Sequence, residues 1–157
     1  MGLCRRLVLY LAALATWATP GAAQRPLTVQ GVRSLTFGSL LAGVNKSVLR
    51  TDAINGGQLD ISGPKNVQVL LTFTLPPTMA GPAGATLPLS FGSNDGGWSP
   101  PQQVGTQVAF DPRVPYTAPL DQNGKVSVYL GGTAKPTASQ KAGSYTGTIT
   151  LTVVVLP

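Results

Sequence analysis

The sequence contains no histidine and no glutamate, and its one cysteine, Cys4, stands near the start of the chain. Acid-base and nucleophilic enzymes rely on close sets of side chains that hold a proton or a lone pair near neutral pH, and most such groups are missing here. The acids that remain are Asp52, Asp60, Asp95, Asp111 and Asp121, and their spacing suggests no working pair. An enzyme is therefore not expected, and no cofactor is expected either. Zinc lacks its imidazole and thiolate ligands. Calcium alone suits the composition. The segments 121–124 (DQNG) and 94–97 (NDGG) lack the spaced acidic set of a tight calcium site and are read as plain turns, with weak calcium binding as the alternative.

Charge is also scarce. Charged residues make up 10 % of the chain, against about 25 % in an average soluble protein. The surface must then be built from Thr, Ser, Gln, Asn and Gly. The formal charge is +6, yet the basic residues form no run and no aromatics interleave them, so no nucleic-acid platform is expected.

Long apolar runs are absent except at the start. Arg5 and Arg6 precede an apolar run, residues 7–17, and Pro20 leads into Gly21-Ala22-Ala23. This is the order of a signal peptide, with cleavage expected after Ala23 and residues 24–157 forming one domain. The run is shorter than the roughly 20 residues of a membrane span, so no stable span is expected once the signal is removed. The Arg pair lacks the fuller surroundings of twin-arginine export, which leaves general secretion. Removing residues 1–23 takes Cys4 with it. The mature domain would then have no disulfide, although export permits them.

What the chain has is turn residues and alternation. Gly 19 and Pro 14 disfavour long helices. Residues 67–75 (VQVLLTFTL) place Val67, Val69, Leu71, Phe73 and Leu75 on one face, the period-two pattern of a half-buried strand. Residues 144–156 set Tyr145, Ile149, Leu151, Val153 and Val155 against a face of threonines, and β-branched residues make the helical alternative costly. Shorter strands are expected at 27–32, 35–37, 47–51, 58–62, 87–91, 107–111 and 126–131, with long loops at 78–86 and 92–106. Short strands at this spacing, with no helical pattern between them, predict an all-β, antiparallel β-sandwich of immunoglobulin-like type, with a small barrel as the alternative.

Trp98 falls within the second of these expected loops. Its ring is placed either at the surface, stacked on a sugar or anchoring a protein, or folded back over the edge of the core.

The segments LTFGSLLAG (35–43), LPLSFG (87–92) and VYLGGTAKPTASQKAGSYTGTITLTVVV (128–155), behind an export signal, resemble the domain-of-unknown-function 4402 family of exported bacterial proteins. That family is similar in turn to spore coat protein U and to the secreted pilins of archaic chaperone-usher systems. The resemblance implies a pilin-like sandwich, secreted to the periplasm or cell surface, serving as a structural subunit of a fimbria or coat. Its implied partners are identical or related subunits and a periplasmic chaperone-usher system. In such assembly one subunit lends an extended strand to a sheet edge of the next. Leu27, Val29 and Val32, directly after the expected cleavage point, form the candidate donor strand. The segment is short, Pro26 removes one backbone donor, and 27–32 serves equally well as the domain's own first strand. The absence of mature cysteines departs from the spore-coat and archaic-pilin pattern. A stand-alone extracellular module that binds glycan or another envelope component is the alternative function.

Overall fold

The computed structural model describes residues 25–101 and 103–157, so the expected signal peptide lies outside the described residues. Strands dominate: β1 (Thr28–Arg33), β2 (Lys46–Val48), β3 (Gly57–Ser62), β4 (Gln68–Thr74), β5 (Thr78–Ala80), β6 (Thr86–Ser90), β7 (Gly96–Ser99), β8 (Val108–Phe110), β9 (Tyr116–Pro119), β10 (Lys125–Leu130), β11 (Gly132–Ala134) and β12 (Thr150–Val155). They form three antiparallel sheets, ordered β1-β3-β10-β7-β8, β2-β11-β6-β5 and β12-β4-β9. The protein is an all-β sandwich.

The five-stranded sheet packs on the three-stranded one through Ile61, Val126, Val128 and Phe110 on one side and Val69, Leu71 and Ala118 on the other. Period-two alternation sends these residues inward, and burying them removes apolar area from water at about 25 cal/mol per Å². A second, smaller core gathers Phe37, Val48, Leu87 and Ala134 between the remaining strands. The chain crosses from the first sheet to the second at Gly131, between β10 and β11.

The expected register of the last strand holds. Leu151, Val153 and Val155 pack against the main core, while Thr150 and Thr152 are exposed. Its start does not. The ladder begins at Thr150, and upstream of it the chain makes only a single bridge, Thr146 to Ala80. Residues 35–37 form no strand; Leu35 and Phe37 instead pack into the second core. The expected loop at 78–86 contains β5, a three-residue 3-10 turn and the start of β6, and the expected loop at 92–106 contains β7.

Gly96 and Gly97 give β7 the sequence of a turn. Both lie in the strand, where a side chain would have no room: a Cβ on Gly96 would sit 2.6 Å from the Phe110 ring, and one on Gly97 would sit 2.6 Å from Arg50 Cδ and Gln107 Oε1. The glycines admit a close approach on each face of the sheet rather than a bend.

Outside the core, Asp111 is clamped by Arg113, which donates from Nε (2.9 Å), Nη2 (2.7 Å) and its backbone amide (2.9 Å). The side-chain bonds from Arg113 hold the Asp111 carboxyl at about 2, below the ordinary 3.8. A carboxylate depressed in the folded state stabilises the fold above its unfolded value, and that stabilisation is lost as pH falls toward about 2. Asp111→Asn is therefore expected to lower Tm at pH 6, by an amount that shrinks as pH falls toward about 2. A Tm gap that stayed constant across this range would refute the assignment.

Candidate functional site

The residues that could act lie in three places: the flank between β1 and β12, a polar layer on the outer face of the five-stranded sheet, and a cavity beside Trp98.

Among the described residues β1 is an edge strand that pairs only with β3, from Thr28 opposite Ser62 to Arg33 opposite Gln58, with an irregularity between Gly31 and Arg33. Val29 lies opposite Ile61, which is fully buried, so Val29 belongs to the inner face; it is nevertheless 41 % exposed. Two residues on, a Cβ on Gly31 would meet nothing within 4 Å. Leu27 packs partly against the core, and Val32 is half exposed. The candidate donor segment is thus drawn into the domain's own sheet, as an outer strand with little covering it.

β12 forms the other wall of this flank. β9 lies toward β7 and β8, since Trp98 Nε1 donates to Tyr116 Oη at 3.0 Å and Phe110 stacks on Tyr116 with ring centroids 4.4 Å apart. β12, on the far side of β4 from β9, consequently lies toward β3 and β1. Contacts at its upstream end agree: Ile149 and Gly147 line a small cavity of about 30 Å³ together with Leu35 and Phe37, which follow β1. Among the described residues, the β12 ladder pairs only with β4, which leaves one edge free. Leu151, Val153 and Val155 face inward yet are only half-buried. A free edge beside partly uncovered inward-facing apolar residues can accept a further strand, through backbone hydrogen bonds and alternate side chains.

The polar layer leaves no periodic signal in the sequence. Tyr129, Ser127 and Ser99 point to the outer face of the five-stranded sheet and yet are fully buried, with Gln58 nearly so. Ser127 Oγ donates to Asp60 Oδ1 at 2.7 Å, and Gln58 Nε2 donates to the same oxygen at 3.2 Å. Arg50 crosses above Gly97, donating from Nη1 to the Asn94 carbonyl at 2.8 Å, and Gln107 Nε2 donates to the Arg50 carbonyl at 3.2 Å. Arg50 and Gln107 thus lie over the outer face of the sheet at Gly97. Alternation in KVSVYL gives the register of β10, but the burial of both its faces depends on distant loops.

Trp98 stands on β7, half-buried against the core, with its indole N–H already donated to Tyr116. Beside it opens a cavity of about 160 Å³ lined by Trp98, Pro100, Pro119, Asp121, Lys125 and Val126. Both candidate calcium segments carry turn bonds. Asp121 Oδ1 accepts from the amides of Asn123 and Lys125, each at 2.8 Å, and Asp95 Oδ2 accepts from that of Gly92 at 2.6 Å. Among the described residues, no group of three or more His, Cys, Asp or Glu side chains is placed to hold a metal ion, and no helix is long and apolar enough to cross a membrane. No protein-family model matches the chain, and no curated protein matches it.

Proposed function

We propose that this chain is a non-enzymatic, exported structural subunit of a surface fibre or coat, an immunoglobulin-like and pilin-like sandwich that assembles by strand donation between copies. The observation that carries the reading is the pairing of two features on one flank. Among the described residues an outer strand, β1, is held only by β3, and the free edge of β12 presents half-buried Leu151, Val153 and Val155. The alternating residues Leu27 and Val29 match the period that such an edge reads. The export-type start and the resemblance to exported pilins and coat proteins support a reading in which this assembly forms in the periplasm or at the cell surface, with a chaperone-usher system delivering the subunits.

Sedimentation of the exported chain, beside a variant lacking residues 24–32, tests this. The full chain is expected to form concentration-dependent oligomers and the shortened chain markedly weaker ones. A synthetic peptide of residues 24–33 should bind the shortened chain and raise its Tm, because a ligand that binds only the folded state stabilises it. A full chain that stays monomeric, or a shortened chain that assembles unchanged and ignores the peptide, would overturn the proposal.

A further inference from the structure

The two ends of the sandwich carry complementary features. At one end, the segment before β3 presents Ile54, which at 80 % exposure is the most exposed large apolar side chain among the described residues. Asp52 fixes it there: Oδ1 accepts from the amides of Ile54 (2.8 Å) and Asn55 (2.9 Å), Oδ2 accepts from Asn55 Nδ2 (3.0 Å), and the Gly56 amide donates to the Asp52 carbonyl (3.1 Å). The Asn55 bonds, with Arg33 nearby, hold the Asp52 carboxyl below its usual range. An apolar side chain on a loop ordered in advance loses little freedom on docking.

At the other end lies the cavity beside Trp98. Gly57 pairs with Leu130 and Ser62 with Lys125, so the Ile54 loop and the Lys125 rim are separated by the length of β3, roughly 17 Å at 3.4 Å per residue. A cavity of about 150 Å³ holds a benzene ring, so one of about 160 Å³ admits a branched four-carbon side chain. The Trp98 indole N–H is donated to Tyr116 and Asp121 Oδ1 is held by two amides, which favours an apolar occupant over a sugar. The flanking charges include an opposite pair: Asp52 stands beside Ile54, and Lys125, which has no ion pair among the described residues, stands with Asp121 at the cavity.

We infer that Ile54 of one copy seats in the Trp98 cavity of a second copy, a head-to-tail contact that repeats along a filament. Such a contact is heterologous and, unless its rotation closes a ring, generates an open chain of subunits. The inference rests on the reading of the chain as a self-assembling subunit, but it uses no residue of β1 or β12.

Cross-linking tests it, because the chain without Cys4 has no thiol of its own. In a Cys4→Ser background, Ile54→Cys and Pro119→Cys chains are purified separately, mixed and oxidised. Disulfide-linked dimers are expected in the mixture and in neither variant alone, since the bond requires Cα atoms about 4.4–6.8 Å apart. Ile54→Asp should weaken association roughly tenfold or more. Absence of the mixed disulfide, or an Ile54→Cys chain that links only to itself, would overturn the contact. Oligomers that persist without the mixed disulfide leave strand donation standing. A mixed disulfide in a chain whose assembly survives deletion of residues 24–32 leaves only the end-to-end contact.

Discussion

Gly96→Val is expected to unfold much of the population at temperatures where the wild type is folded. Gly96 sits in β7 between Leu130 of β10 and Phe110 of β8. A Cβ there would lie 2.6 Å from Phe110 Cε2 and 2.8 Å from the Phe110 carbonyl oxygen. The carbonyl belongs to the sheet backbone and has little room to move. The ring cannot yield cheaply either, because Phe110 stacks on Tyr116 and lies 6.3 Å from Phe73, centroid to centroid. Overpacking a closed core typically costs about 1–3 kcal/mol, and valine adds two methyl groups beyond the clashing Cβ, so a loss of about 3 kcal/mol is expected. That is a large share of the roughly 5–15 kcal/mol that stabilises a whole domain. Gly105→Ala serves as the control, since a Cβ there meets nothing within 4 Å. Urea denaturation should separate the two variants clearly. A Gly96→Val midpoint equal to that of Gly105→Ala would show that β7 and β8 are not packed as described.

The same glycine marks where sequence reading stops. Alternation over seven or more residues identified β4 and the inward face of β12, because a strand with one buried face must repeat its apolar residues every second position. Gly96-Gly97 carried no such pattern, since the space a side chain would fill belongs to Phe110 on one face and to Arg50 and Gln107 on the other. Those partners come from distant parts of the chain, and spacing alone does not reveal them. β5, β9 and β11 are three or four residues long, too short for a period to declare itself. Leu35 and Phe37 alternate like a strand but meet no ladder, and they fill the second core from a loop. At the candidate site, the sequence offered the residues of β1 and left their role open. That Val29 faces inward yet stays exposed follows only from the pairing of β1 with β3 and from the absence of any strand outside it among the described residues.

Leu71→Ala and Leu151→Ala remove the same atoms from the same face of one sheet, and their costs are expected to differ severalfold. Leu71 is 1 % exposed on the central strand β4, between Val153 of β12 and Tyr116 of β9. Truncating it leaves a cavity walled on all sides, for which about 3–4 kcal/mol is expected within the 2–5 range for buried leucines. Leu151, opposite Phe73 on β12, is only half-buried. Part of its side chain is already in water and the gap opens to solvent, so about 1 kcal/mol is expected in dilute monomer. Assembly should change this second cost and not the first. If a donated strand covers the inner face of β12, the methyl groups of Leu151 become buried in the oligomer, and Leu151→Ala weakens association beyond its effect on folding. Leu71→Ala should alter association only as far as it depletes folded protein. Denaturation midpoints in dilute solution, compared with sedimentation at rising concentration, separate the two effects. Equal folding costs for the two truncations would mean that the face of β12 is as closed as that of β4, and the flank would then have no strand to accept.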